Sequence, residues 1–173
     1  MMQFHMKEAM SKGLRASVNE QLDVDHLFAG RADVIRASSL KAALEVAGYE
    51  EFVQVEGELS IDLELACSRC LDPTIEHTVI PFLEQFKPTS NDAGLREEDE
   101  EESDYIEVTA DRLDLTPYVE EALLLFMPFA PLCKDECKGL CHNCGQNLNE
   151  RKCDCQTDRI DPRFEALKDL FKQ

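Results

Sequence analysis

No apolar run in this sequence approaches the roughly 18–20 residues that a membrane-crossing helix needs. The N-terminus, Met1-Met2-Gln3-Phe4-His5-Met6-Lys7-Glu8, lacks a basic stretch followed by an apolar core and a small-residue cleavage site, so neither a secretory leader nor a membrane partner is expected. Basic residues are scarce: 18 Lys+Arg stand against 36 Asp+Glu, a formal charge of −18. Binding to nucleic acid draws its energy from Lys and Arg displacing counterions, so an acidic surface argues against a chain that grips RNA throughout its length. Basic partners fit better. Glycine-rich phosphate loops, Gly-x-Ser-x-Gly elbows and metal-hydrolase helices are missing as well, and no small-molecule substrate is expected. The abundant carboxylates lie on one face of a strand or in an acidic run, where nothing sets an acid/base pair apart from a solvated surface.

What is present fits one domain with a small appendage: 173 residues, of which 43% are hydrophobic. Residues 133–173 hold eight Lys+Arg and eight Asp+Glu, so the whole negative charge lies in residues 1–132. The same tail holds six of the eight cysteines. A boundary near residue 130 follows, dividing an α+β domain (1–130) from a cysteine-rich module with a short helix (131–173) that packs on the first.

Residues 53–65 alternate without error, with Val53, Val55, Gly57, Leu59, Ile61, Leu63 and Leu65 on one face and Gln54, Glu56, Glu58, Ser60, Asp62 and Glu64 on the other. That is a half-buried strand, with a bend expected at Gly57 because thirteen residues would otherwise extend roughly 43 Å. Leu40, Ala42, Leu44 and Val46 alternate before it, and 47–51 reads as a hairpin connection. Ile75, His77 and Val79 form a third run, completing an antiparallel meander with one wet, acidic face. Pro88, Asn91, Gly94 and the run from Glu97 to Glu102 mark an acidic loop over about 87–104, read as a solvating tether or a docking arm for a basic protein. Residues 105–108 return as a short strand. Thr116-Pro117 caps and starts a helix read as largely buried from Tyr118 to Met127 and stopped before Pro128. Asp161-Pro162 repeats the start signal for a final helix with Phe164, Leu167, Leu170 and Phe171 in one stripe. The first 35 residues carry too little periodicity to assign.

Without a leader the expected compartment is the reducing cytoplasm, where cysteines read as metal ligands or redox groups before they read as disulfides. From Cys133 the spacing runs Cys133, Cys137, Cys141, Cys144, Cys153, Cys155, and Cys141-His142-Asn143-Cys144-Gly145 has the form of a metal-binding knuckle. Zinc is the default cation for such thiolates. Cys67-Ser68-Arg69-Cys70, at the end of the long strand, raises the count to eight. One arrangement groups Cys67 and Cys70 with Cys133 and Cys137, leaving Cys141, Cys144, Cys153 and Cys155 as a compact second set. A rival uses Cys133, Cys137, Cys141 and Cys144 alone, and mixed sets or an unmetallated cluster stay open. A four-thiolate zinc has no free position for water or substrate, so its role is structural and one or two ions would pin a small fold. The rival chemistry is thiol redox at Cys67 and Cys70, which needs a thiolate stabilised at a helix start, and Pro73 argues against a helix there.

Several motifs in order resemble one family. Cys67-Ser68-Arg69-Cys70-Leu71, Glu120-Glu121-Ala122-Leu123-Leu124-Leu125, Pro131-Leu132-Cys133, Cys137-Lys138-Gly139-Leu140-Cys141, Cys144-Gly145, Asn147-Leu148-Asn149, Cys153-Asp154-Cys155 and Asp161-Pro162-Arg163 are similar to the YceD family, the large ribosomal RNA subunit accumulation proteins of bacteria and plastids. The resemblance runs from about residue 30 to residue 171. It implies a non-enzymatic factor that supports accumulation or processing of large-subunit ribosomal RNA during ribosome assembly. Joined to the charge, it suggests a basic ribosomal protein or a pre-ribosomal particle as the partner. The alternative is direct RNA binding through Lys134, Lys138, Arg151, Lys152, Arg159 and Arg163, each of which has an acidic residue within three positions.

Overall fold

The computed structural model describes residues 2–89 and 105–155. The elements in chain order are β1 (Gln3–His5), α1 (Met6–Ser11), β2 (Arg15–Leu22), β3 (Val34–Ala37), β4 (Leu40–Gly48), β5 (Val53–Ala66), β6 (Pro73–Pro88), β7 (Ile106–Val108), β8 (Arg112–Asp114) and α2 (Thr116–Phe126). The main sheet runs β2-β4-β5-β6-β7, and β3 also pairs with β5. Because β6 covers one edge of β5 along its whole length, β3 and β4 share the other edge, end to end. All of these pairs are antiparallel except the last, β6 with β7, which is parallel. A separate small ribbon joins β1 to β8. The expected α+β class with an antiparallel meander is thus borne out for β4, β5 and β6.

β5 keeps its register with β6 from Val53 to Ala66, with the pairing uninterrupted at Gly57, where a bend was expected. Gly57 is also needed for close packing. Its φ is +153°, and a Cβ there would stand 2.1 Å from the Ala43 carbonyl oxygen of β4, so only glycine allows the two backbones to approach.

One face of the sheet builds the core. Leu40, Leu44, Val53, Val55, Leu59, Ile61, Leu63 and Leu65 are buried against Met6 and Ala9 of α1, Val119 and Leu123 of α2, and Val24, Leu113 and Leu115 from connections and β8. Two expectations are corrected here. Ile75 and Val79 face solvent, being 79% and 44% exposed, and the core takes the opposite parity of β6: Ile80, Phe82 and Phe86, with Thr78. Antiparallel partners share a face, and Ile75, His77 and Val79 stand opposite Glu64, Asp62 and Ser60, all on the outer side of β5. Burying two phenylalanines and an isoleucine outweighs burying Ile75 and Val79, because burial energy scales with apolar area.

The second correction concerns α2. It is not a buried helix: only Val119 and Leu123 are buried, while Leu124, Leu125 and Phe126 are 40%, 80% and 49% exposed. A helix that covers one sheet has a single inward stripe, and four consecutive apolar residues cannot all lie on it. Its cap also differs from the expected Thr116 cap. The Asp114 side chain accepts the Thr116 N–H at 3.0 Å, while Met127, extended before Pro128, ends the helix. The acidic-loop reading is trimmed too, since Lys87 and Pro88 belong to β6 and pair with β7. The run from Glu97 to Glu102 and the helix expected from Asp161 to Phe171 lie outside the described residues.

Candidate metal centres

The β5–β6 hairpin ends in a tight turn that carries Cys67 and Cys70. The Leu71 N–H donates to the Cys67 carbonyl at 2.9 Å, and Leu71 takes φ +64°. Cys141 and Cys144 repeat this geometry with glycine in the corresponding place: the Gly145 N–H donates to the Cys141 carbonyl at 2.8 Å with φ +71°. Each turn points two sulfurs the same way. A side chain at Leu71 tolerates a conformation that costs a non-glycine residue about 1 kcal/mol or more, which marks the turn as held by its surroundings.

The sulfurs gather into two sets, the first of the two arrangements read from spacing: Cys67, Cys70, Cys133 and Cys137, and Cys141, Cys144, Cys153 and Cys155, each with its sulfurs within 4.8 Å of one another. In the first set Cys67 Sγ is 3.7 Å from Cys137 Sγ, and Cys70 Sγ is 3.6 Å from Cys133 Sγ. Four thiolates around a zinc with bonds near 2.3 Å would stand about 3.8 Å apart at the corners of a tetrahedron, so the donor set fits such an ion in number, type and span. Burial differs between the two: Cys67 is 0% and Cys70 and Cys137 are each 3% exposed, whereas Cys144 is exposed and Cys153 and Cys155 are half-buried.

Electrostatics point the same way. Burial pushes the Cys67 thiol up, yet main-chain N–H groups of Cys133, Cys70 and Arg69 outweigh it and bring the thiol down to about 6. The Asn149 side-chain amide, donating to Cys137 Sγ at 3.3 Å, lowers Cys137. Burial raises Cys70 and Cys133. In the second set the N–H groups of Cys144 and Asn143 bring Cys141 down to about 6, while the neighbouring Cys144 side chain pushes Cys155 up to about 12. Each set therefore contains sulfurs ready to ionise beside sulfurs that resist a second negative charge a few ångströms away. A divalent cation removes that conflict.

The first set joins distant parts of the chain, and polar contacts hold the junction. The Ser68 N–H donates to the Pro131 carbonyl at 2.8 Å, the Leu140 N–H to the Arg69 carbonyl at 3.0 Å, and the Arg69 guanidinium to the Cys137 carbonyl at 2.9 Å. A Cβ on Gly139 would come within 2.9 Å of the Arg69 carbonyl oxygen. Residues not foreseen as part of the site complete it. Asn147 bonds Asp72 at 2.8 Å through its amide and accepts the Asn149 N–H at 2.9 Å, while Asn149 accepts the Lys138 N–H at 2.9 Å. Asn147-Leu148-Asn149 was visible only as part of the family resemblance, since no spacing rule assigns asparagine amides to a thiolate.

His142 is exposed and belongs to neither set. His77 instead bonds Asp62 across the hairpin at 2.6 Å, and His26 lies 3.3 Å from Glu120. Of the basic tail residues, Lys134, Lys138, Arg151 and Lys152 are exposed, while Arg159 and Arg163 lie outside the described residues. No helix among the described residues is long and apolar enough to cross a membrane.

These features define a class: an α+β protein built on one main sheet, with two four-cysteine clusters, one at the tip of its longest hairpin and one in the chain that follows. The chain belongs to the family described as large ribosomal RNA subunit accumulation protein YceD, which matches residues 55–171. It is similar to an uncharacterised protein of Mycobacterium tuberculosis, 31% identical over 129 residues that make up 74% of this chain and 60% of the relative. The matched region thus spans about three-fifths of the mycobacterial protein. An uncharacterised Bacillus subtilis protein is 25% identical over 156 residues, 90% of this chain and 87% of its own length. The Arabidopsis thaliana chloroplastic protein named large ribosomal RNA subunit accumulation protein YCED homolog 1 is 34% identical over 61 residues, 35% of this chain and 19% of that protein. No solved structure matches.

Proposed function

We propose that this chain is a non-enzymatic cytoplasmic factor in assembly of the large ribosomal subunit that supports accumulation of its RNA by binding a basic ribosomal protein. Its two cysteine clusters each hold one zinc ion as a structural pin. When bound, zinc supplies only charge balance and four bonds. With all four positions taken by sulfur, it leaves none for a substrate. Cys67, Cys70, Cys133 and Cys137 would fasten the tail to the hairpin, and Cys141, Cys144, Cys153 and Cys155 would close the loop beyond it.

The observation that carries the partner reading is the outer column of β5, where Glu56, Glu58, Asp62 and Glu64 share one face of a chain with formal charge −18. A basic ribosomal protein docked there is screened from premature RNA contacts. The role that the family's name gives it, accumulation of large-subunit RNA, agrees with such an escort. Affinity capture of the full chain with nuclease treatment tests it. Nuclease-resistant recovery of a ribosomal protein is the expected result; recovery of RNA without any ribosomal protein would overturn the proposal. Elemental analysis of freshly purified protein should return two zinc ions per chain.

A second reading, direct contact with RNA, rests on the hollow of ≈ 660 Å³ beside the second cluster, lined by Arg151 and Lys152 together with Gln146, Asp154 and three cysteines. Gel shifts against precursor RNA with Arg151→Ala and Lys152→Ala decide it: a loss of RNA binding in the variants favours this reading over the first.

A further inference from the structure

One side of the main sheet is covered by α1 and α2, and among the described residues nothing covers the other side. Antiparallel sheets with a wet face ordinarily carry polar residues there. β5 obeys that rule and β6 does not. Ile75, Val79 and Leu83 project from the outer face of β6 at 79%, 44% and 62% exposure, with Pro81 exposed between the last two. Val79, Pro81 and Leu83 form a continuous apolar run, and Ile75 extends it beyond His77, which bonds Asp62; such a run on an otherwise polar face marks a contact surface, whereas single exposed apolar residues do not. From Ile75 to Leu83 the column is roughly 26 Å long at about 3.3 Å per residue, the length of about 17 residues of α-helix.

The neighbouring column, about 5 Å away on β5, is acidic. The register places Leu83 opposite Glu56, Pro81 opposite Glu58, His77 opposite Asp62 and Ile75 opposite Glu64. On the next strand Glu45 stands directly opposite Glu56, a like-charge pair that weakens the sheet. The cations that share this face are Arg15, Lys41, Arg36 and Lys87, of which Arg36 reaches Glu64 at 3.8 Å and Lys87 reaches Glu51 at 3.7 Å, while Glu107 of β7 adds a further carboxylate. Glu45 and Glu58 have no ion-pair partner among the described residues. A strand-adding ligand suits β6 poorly, because Pro81 interrupts its row of backbone donors.

We infer that the outer face of the β5–β6 hairpin docks a basic amphipathic helix of a partner protein, with apolar side chains on Ile75, Val79 and Leu83 and Lys or Arg side chains over Glu56, Glu58 and Glu45. The inference rests on the reading that the partner is basic and adds where and in what form it binds. Length, apolar column and adjacent acidic column together require a ligand with one oily and one cationic stripe. A uniformly basic strand or a nucleic acid satisfies only part of that surface.

The test uses the full chain, ¹⁵N-labelled, and a synthetic Leu/Lys peptide of about 18 residues with helical periodicity. A peptide of the same composition with its leucines spread around the helix is the control. Binding is followed by anisotropy and mapped by amide shifts. Expected are shifts confined to residues 53–64 and 75–86, and a loss of at least about tenfold in affinity for Leu83→Asp and for the Glu56→Lys, Glu58→Lys double variant. Leu83 is mostly exposed, so its variant folds, and an unchanged thermal melt verifies that. Leu125→Asp, on the other exposed apolar patch at the end of α2, should bind as the unaltered chain does. Equal binding by Leu83→Asp, equal binding of the control peptide, or a loss produced by Leu125→Asp instead would overturn the inference. Capture of a ribosomal protein undiminished in Leu83→Asp removes the surface and leaves the partner reading standing. Localised peptide binding without any ribosomal protein captured from cells does the reverse.

Discussion

Cutting the two clusters separately tests what each one holds. Cys67→Ser with Cys70→Ser detaches the hairpin from the tail, and Cys153→Ser with Cys155→Ser opens only the terminal loop. The contacts closed by the first cluster are 63 and 70 residues apart in sequence, whereas those of the second span roughly ten. Treated as a loop closure of the unfolded chain, the first pin is worth about 4 kcal/mol and the second about 3 kcal/mol. The gap widens in the folded state, because Cys67 and Cys70 are buried whereas Cys153 and Cys155 are half-buried, and serines in the first pair leave buried hydroxyls. Urea unfolding of zinc-loaded protein, followed by far-UV circular dichroism for the sheet, is the assay. The first double variant should lower the stability of the sheet transition by about 4 kcal/mol or more. The second should leave that transition in place and release one zinc. Equal shifts of the sheet transition in both variants would refute the claim that the first cluster alone is wired to the hairpin.

Three further outcomes follow from the geometry. Phe82→Ala should cost about 3–5 kcal/mol and Leu83→Ala under about 1 kcal/mol in the same unfolding assay, because adjacent residues of β6 occupy opposite faces, 3% and 62% exposed. Asn149→Ala removes the amide whose hydrogen bond lowers the Cys137 thiol, so zinc affinity measured by chelator competition should fall about 10–100-fold while the sheet melts unchanged. Asp114 accepts hydrogen bonds from Gln3 at 2.7 Å and from the Thr116 N–H; burial opposes its ionisation, but these bonds hold its carboxyl below the usual carboxylate value. Its contribution is therefore complete above the unfolded value, roughly pH 4, and is lost as pH falls through the lower folded value. Asp114→Ala should cost about 1 kcal/mol near neutral pH, and the difference from the unaltered chain should vanish in acid, as read by unfolding curves across pH.

Local chemistry made part of this protein readable from residues alone. The alternation of β5 is strict over thirteen positions, and period two has only one structural meaning at that length. The turn at Cys141 to Gly145 is equally local, since two sulfurs, a short spacer and a glycine define it. Pro117 in the first turn of α2 and Pro128 beyond its end marked its limits by the loss of backbone donors and the steric exclusion of the helical region. The ribbon of β1 and β8 had no such signature. Its three-residue strands are held by pairing 109 positions apart, Gln3 with Asp114 at one end and His5 with Arg112 at the other being 111 and 107 apart.

Competition between distant surfaces settled the rest. β6 contains an apolar set on each face, and only its register against β5 decided that Phe82 and Phe86 go in while Ile75 and Leu83 stay out. The exposure of Leu124, Leu125 and Phe126 likewise depends on there being one sheet for α2 to cover, which no window of sequence contains. The cysteines make the division plain. Composition and spacing marked the eight thiols in this chain as candidate metal ligands, because sulfur chemistry belongs to the side chain itself. Which four meet is a matter of where the hairpin tip and the tail come to rest, and packing of whole elements, acting across more than sixty residues, determined that.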